Sequence, residues 1–379
     1  MGNIINSFQN LTSRFDNLSR FRIINKINCK INNVELRLGK KKLVSHPLHL
    51  DIVPTRLCNL RCIFCIPYPI ESVQELSLDD FKIVANRLFP YASIVNFCSG
   101  GEPFLNKNLL RFISICKDYR IPVKISTNGM PLSKPICKEL VENNCLEMLR
   151  FSFDGSKKET IESIRKGINY DHVIGNMRLM ADLKKRHHRK NLTLLIRYVA
   201  MRSNIEELPD LVIKASQWGI DVVEVTYLNV SNGMDKNESL FYYSSLAKRF
   251  FVKSAEVAKS VNIRIILPEA GNETRDVKIC SRPWQFIKID PGGSVRFCYK
   301  AWENPIGNIL SADFFDLWNN YHYRLIRKTI NSEKPYFKYC KVCSRRRGYA
   351  LESSHIQYLH SDLYSFDMDY EKAQDVGCP

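Results

Sequence analysis

The chain has 379 residues, with 56 Lys and Arg against 39 Asp and Glu, a formal net charge of +17 and 45% hydrophobic residues. That length holds one large domain plus a small one; no run approaches the roughly 18 apolar residues a bilayer crossing needs, and the polar stretch from Met1 to Arg20 lacks the apolar core of an export signal, so a cytoplasmic protein is expected. Thirteen cysteines in so long a chain argue for metal ligation rather than the disulfide scaffold of short secreted domains.

Residues 1–48 read as a basic leader. Phe8, Leu11, Phe15 and Leu18 recur at helical spacing, which predicts a helix packed on the main domain; contact with an anionic membrane surface is the weaker reading. Met1-Gly2 opens like a myristoylation signal, but Asn6 stands where Ser or Thr is needed, so no lipidation is expected. Residues 49–265 alternate strand and helix. Strands are predicted over His49–Thr55, Ile94–Ser99, Pro122–Ser126, Met148–Phe153, Leu192–Ala200 and Val222–Leu228. Helices are predicted over Leu78–Leu88, Leu109–Tyr119, Pro135–Glu142, Val173–Lys185 and Glu206–Trp218. Each crossover carries a helix, which implies a parallel sheet, either doubly wound or an incomplete barrel. A long helix, Leu240–Ser260, is expected to lead away from it.

Residues 266–350 change pattern. Phe286–Asp290 and Ser294–Cys298 are short strands joined by Pro291-Gly292-Gly293, a hairpin signal. One helix is predicted over Asp313–Thr329, followed by a loop with Cys340 and Cys343. Residues 351–379 form a tail, in which Cys378 reads as a solvent-exposed thiol with no assigned role. The basic runs at Lys40–Lys42, Lys184–Lys190 and Arg345–Arg347 read as solvated helix ends and loops, with no nucleic-acid-binding motif around them.

Cys58, Cys62 and Cys65 share one short loop with the spacing C-x3-C-x2-C. An iron–sulfur cube is normally held by four thiolates, so three leave one iron open to an amine and a carboxylate. A zinc site usually shows paired C-x2-C elements instead. Gly100-Gly101-Glu102-Pro103 ends the second strand; two glycines allow close backbone approach, and Glu102 can accept from an ammonium. Ser126-Thr127-Asn128-Gly129 and Ser152-Phe153-Asp154-Gly155 end the next two, where ordinary turn chemistry also favours such residues. Arg197 is a charge inside an apolar strand and needs a partner. Cys280, Cys298, Cys340 and Cys343 would close a second site; on spacing alone a structural zinc ribbon stays open.

The pattern P-T-x-x-C-N-x-x-C-x-F-C, from Pro54 through Phe64 to Cys65, resembles the radical S-adenosylmethionine (radical SAM) enzymes. The resemblance implies a partial (β/α)6 TIM-type barrel with its site at the C-terminal strand ends. It implies a [4Fe–4S] cluster on the three cysteines, with S-adenosylmethionine bound near Phe64, Gly100, Gly101, Glu102, Ser126, Asn128, Ser152, Asp154 and Arg197. The order C-x12-G-x4-C, Gly307-Asn308-Ile309, Leu317-Trp318-Asn319, C-x2-C resembles the auxiliary-cluster domain of that family. Position 347 is Arg and 349 is Tyr, so the shorter "twitch" version with one auxiliary [4Fe–4S] cluster is implied rather than the longer SPASM version. The cysteine arrangement resembles 2-deoxy-scyllo-inosamine dehydrogenase-like enzymes. It implies net oxidation of a sugar, cyclitol or other small molecule, with the closed cluster as electron relay and a flavodoxin- or ferredoxin-type donor. Peptide maturation is the alternative, and a redox-neutral sugar epimerisation a third reading.

Overall fold

The structure is a computed structural model describing residues 17–65, 75–98, 100–228, 230, 234–268, 279–299, 301, 305–341 and 343. Phe8, Leu11, Phe15, Ser99, Arg345–Arg347 and Cys378, and the side chain of Leu18, lie outside the described residues.

Ten strands build one sheet. In chain order they are β1 (His49–Ile52), β3 (Ile94–Phe97), β4 (Val123–Thr127), β5 (Leu146–Ser152), β7 (Thr193–Ala200), β8 (Val222–Tyr227), β9 (Arg264–Ile266), β10 (Phe286–Ile289), β11 (Ser294–Arg296) and β12 (Gly307–Asn308). A separate two-stranded piece pairs β2 (Arg61–Cys62) with β6 (Arg165–Lys166). The order across the main sheet is β12-β11-β10-β1-β3-β4-β5-β7-β8-β9, and every pair from β1 to β9 is parallel. The sheet is thus that of a partial barrel, with α2 (Leu78–Leu88), α3 (Leu109–Asp118), α4 (Lys134–Glu142), α5 (Lys158–Ile164), α6 (Tyr170–Arg186) and α7 (Leu208–Gln217) in its crossovers.

Strand alternation separates two faces. Leu50, Ile52, Val95, Phe97, Ile125, Phe151, Ile196, Tyr198 and Val223 join the buried core beneath the helices. The registers Asp51↔Asn96, Ser126↔Arg150, Ser152↔Arg197 and Arg197↔Glu224 place polar side chains in a row on the other face.

Three elements differ from expectation. The helix predicted to lead away from the sheet begins at Ser244 after a short 3-10 turn and returns to it: α8 (Ser244–Ser260) packs on α7 and delivers β9, a further parallel strand. Asp313–Thr329 is two helices, α10 (Phe314–Trp318) and α11 (Tyr321–Thr329), because Asn320 turns its carbonyl onto the Tyr323 N–H as an N-cap and its amide onto the Ile306 carbonyl. The C-terminal hairpin is continuous with the barrel sheet rather than set apart, since β10 pairs in parallel with β1 along its whole length.

The described part of the leader, from residue 17 onward, is tied down as well. Within α1 (Asn17–Arg37), Asn28 and Asn32 are buried and donate to the carbonyls of His46, Tyr91 and Trp284, while Glu35 accepts from the N–H groups of Val44 and Ser45. The basic run that spans the end of α6 is structural in part: Lys184 pairs with Asp221 at 2.6 Å, and Arg189 donates to the carbonyls of Val141, Asn143 and Leu146.

Candidate metal centre

The loop carrying Cys58, Cys62 and Cys65 leaves β1 and is clamped from two sides. On one side the Glu102 N–H donates to the Leu57 carbonyl at 2.7 Å, and the Asn106 amide donates to the Pro54 carbonyl at 2.7 Å. Gly101 sits directly on this backbone: a Cβ there would meet the Arg56 and Leu57 carbonyl carbons at 2.7 and 2.8 Å. The glycine pair, expected to open a path for a ligand, is first of all what lets β3 approach the cysteine loop. On the other side β2 pairs with β6, with Cys62 opposite Arg165.

Around the sulfurs, the Leu60 N–H lies 3.5 Å and the Asn128 amide 4.0 Å from Sγ of Cys58. A guanidinium nitrogen of Arg165 lies 3.6 Å from Sγ of Cys62, and the same guanidinium stands over the Phe64 ring at 5.3 Å. Burial pushes the Cys62 thiol up to about 11, with Cys65 and Cys58 adding to the rise and Arg165 opposing it. Burial, then the nearby Cys58, raises Cys65. Two half-buried thiols and an exposed one that feel one another in this way gain from a cationic centre that keeps them deprotonated. Thiolates of a cube each hold a different iron, and three cysteines on one loop at this spacing fit an iron–sulfur cluster of that kind.

Glu102 is buried and fully engaged. It accepts from the Thr127 hydroxyl at 2.7 Å, the Asn128 N–H at 2.7 Å and the Phe104 N–H at 3.4 Å. Burial pushes its carboxyl up to about 7, against the pull of those hydrogen bonds. Asn128 bonds Asn59 at 2.8 Å, so the turn after β4 touches the cysteine loop directly. Asp154 is wholly buried: Oδ1 accepts from the Val199 N–H at 2.7 Å and Oδ2 pairs with Arg165 at 2.6 Å. Ser126 accepts from Arg150 at 3.0 Å. Arg197 finds the partner its apolar strand requires in Glu224, at 2.8 Å, which Arg150 also approaches at 3.4 Å. Ser152 lies beside Arg197 in register on the same polar face.

In the second group, Cys340 is buried and Cys280, Cys298 and Cys343 are half-buried. Burial raises Cys280, with Cys298 and Cys343 close enough to add to the effect. Arg282, the first residue of the short helix α9 (Arg282–Gln285), donates to Sγ of Cys298 at 2.9 Å. Arg56 of the first loop and Lys288 and Arg296 of the hairpin all converge on the buried carboxylate of Asp290. These arginines escaped sequence reasoning. The one available signal was a cation two residues from a cysteine, Arg282 after Cys280; Arg165 lies in the mixed stretch Glu162-Ser163-Ile164-Arg165-Lys166, which gives none.

Residues 52–215 match the family described as Radical SAM superfamily, and residues 280–344 the family described as SPASM, an iron–sulfur cluster-binding domain. The antilisterial bacteriocin subtilosin biosynthesis protein AlbA of Bacillus subtilis is 22% identical over 298 residues, covering 77% of this chain and 63% of AlbA, so the match spans less than two thirds of that relative. PqqA peptide cyclase of Gluconobacter oxydans is 22% identical over 317 residues, 80% of this chain and 84% of the cyclase. Streptococcus suis SuiB bound to precursor peptide SuiA shares the fold with a TM-score of 0.66 at 17% identity, over 86% of this chain and 80% of SuiB.

Proposed function

We propose, from the premise that the chain belongs to the radical SAM superfamily and carries a SPASM-type iron–sulfur domain, that it modifies a peptide substrate. One observation carries this reading. The matches to a peptide cyclase and to a bacteriocin biosynthesis protein run across 80% and 77% of this chain. They favour peptide modification over the sugar or cyclitol oxidation that the cysteine arrangement suggested.

The cofactors are two [4Fe–4S] clusters and S-adenosylmethionine. Bound at an open iron and given one electron, S-adenosylmethionine supplies a 5′-deoxyadenosyl radical that takes hydrogen from a substrate. In this reading Cys58, Cys62 and Cys65 hold the first cluster, and Cys280, Cys298, Cys340 and Cys343 the second. Glu102, Asn128 and Phe64 border the first centre, where a ligand ammonium would draw the Glu102 proton away. Ser126, Ser152 and Arg197 project from the polar face of the sheet beside it and orient what enters. Asp154 acts through Arg165 rather than on a ligand. A flavodoxin- or ferredoxin-type protein is the proposed electron donor. Among the described residues no helix is long and apolar enough to cross a membrane.

The test is anaerobic purification with reconstitution of both clusters, followed by incubation with S-adenosylmethionine, reductant and the short peptides encoded beside the gene. Expected are 5′-deoxyadenosine, methionine and a mass change in one peptide. Unchanged peptides alongside an altered sugar or cyclitol would overturn the reading.

A further inference from the structure

Each thiol group has an arginine set against one of its sulfurs, and the two arginines are compensated differently. At the first group, Arg165 lies 3.6 Å from Sγ of Cys62 and pairs at 2.6 Å with Asp154. Both members of that ion pair are buried, so the positive charge beside Cys62 is matched by a negative one in contact with it. At the second group, Arg282 lies 2.9 Å from Sγ of Cys298. Its guanidinium carbon stands 5.0 Å from the Phe286 ring and 4.7 Å from the Tyr299 ring. Those faces fix the guanidinium in place without supplying a full counter-charge. Asp51 is within electrostatic range of Arg282, but its carboxylate is taken up by Asn96 at 2.8 Å and the Cys98 thiol at 3.5 Å. Burial also favours its protonated form.

We infer that Arg282 sets the reduction potential of the auxiliary cluster above that of the S-adenosylmethionine-binding cluster, by donating a charge-assisted hydrogen bond to the Cys298 sulfur. The inference rests on the reading that Cys280, Cys298, Cys340 and Cys343 hold that cluster. Reduction adds one negative charge to a cluster. A cation and a hydrogen-bond donor at its sulfur stabilise the reduced form more than the oxidised one, which raises the potential. The Arg165–Asp154 pair presents the first cluster with a dipole rather than a net charge, at a longer sulfur distance, and its effect is correspondingly smaller. Electrons flow toward the higher potential, so Arg282 fixes the direction of transfer between the two centres. It does so as a residue acting on a ligand sulfur, with no contact to substrate required.

The experiment is an anaerobic redox titration of the full chain carrying both clusters, followed by electron paramagnetic resonance. Added S-adenosylmethionine perturbs the open cluster alone and so identifies which signal belongs to which. In Arg282→Gln the auxiliary midpoint should fall, shifting the oxidised-to-reduced ratio at the wild-type midpoint by about tenfold, or about 59 mV for a one-electron couple. The S-adenosylmethionine-binding cluster should stay where it was. Arg282→Lys keeps the charge without the planar fork and should fall between the two. An Arg282→Gln chain that retains its iron and titrates with the wild type overturns the inference, as does a shift confined to the other cluster. Should Arg282→Gln lose the second cluster, Arg282→Lys decides: a lowered midpoint supports the role and an unchanged one overturns it. A wild-type chain with no second cluster overturns the inference together with the reading beneath it.

Discussion

Gly101 lies against the carbonyl of Leu57 so closely that no side chain can occupy its position, and the next residue's N–H donates to that same carbonyl. The neighbour is backbone of the cysteine loop, which cannot swing aside as a side-chain tip would. Gly101→Ala should therefore push the loop away from β3 and spread the three thiols. Overpacking of this kind costs about 1–3 kcal/mol. The expected outcome is a lower melting temperature together with a loss of iron from the first site; a variant that melts and loads iron as the wild type does would contradict the clamp.

Glu102 makes stability depend on pH in a stated direction. Its carboxyl is pushed from 4.5 up to about 7 by burial, so the folded chain holds a proton that the unfolded chain has released throughout that interval. The folded state then binds more protons than the unfolded state, and stability falls as pH rises from 4.5 to 7. The loss is complete above about 7. Glu102→Gln removes this proton and should flatten its part of the slope. Its pH-independent cost, from an amide facing the Asn128 N–H, appears as a constant offset. Urea denaturation of both chains between pH 4.5 and 7 checks the difference in slope. Asp51 and Asp154, also raised by burial, contribute with the same sign and cancel in the comparison.

Much of the barrel could be read from residue pattern because local and global signals agree there. The helix Leu78–Leu88 starts where Ser77 accepts from the Asp80 N–H, and its apolar positions Phe81, Val84, Ala85 and Leu88 are the ones buried. The helix at 17–37 shows the opposite relation. It buries Asn28, Asn32 and Glu35 while Ile31 and Val34 stand exposed, so apolar periodicity points away from the docked face. The cysteine groups were legible through spacing. Their partners were not, since Arg165 meets Asp154 only because β6 folds back onto β2, and a two-residue strand leaves no periodic trace. The hold of Arg165 and the Val199 N–H on the Asp154 carboxylate likewise leaves no mark in the spacing.

The two cysteine groups should separate two activities. On the proposed assignment Cys62→Ala removes a ligand of the first cluster, and it should abolish 5′-deoxyadenosine formation while the second cluster's iron stays. Cys340→Ala should leave cleavage of S-adenosylmethionine in place and stop peptide modification. Each variant should lose about half of the chain's iron, as expected for two clusters of equal size. Iron analysis and product chromatography on the same samples check both. Retention of peptide modification in Cys340→Ala would remove the second cluster from the reaction.

Asp154 distinguishes positioning from ligand contact. Asp154→Asn keeps the shape of the side chain but deletes the charge paired with Arg165, which is buried beside Cys62. Breaking a buried pair from one side costs about 3–5 kcal/mol, because the remaining charge has no compensation. The Val199 N–H also loses a charged acceptor. A large fall in stability is therefore expected in the chain before any S-adenosylmethionine is added. The double variant Asp154→Asn with Arg165→Met removes the stranded cation and should recover part of that loss, a non-additivity characteristic of residues in contact. Were Asp154 instead a nucleoside ligand, Asp154→Asn would weaken S-adenosylmethionine binding and leave the ligand-free chain as stable as before. Denaturation of the ligand-free single and double variants, set beside calorimetric binding of S-adenosylmethionine, tells the two roles apart.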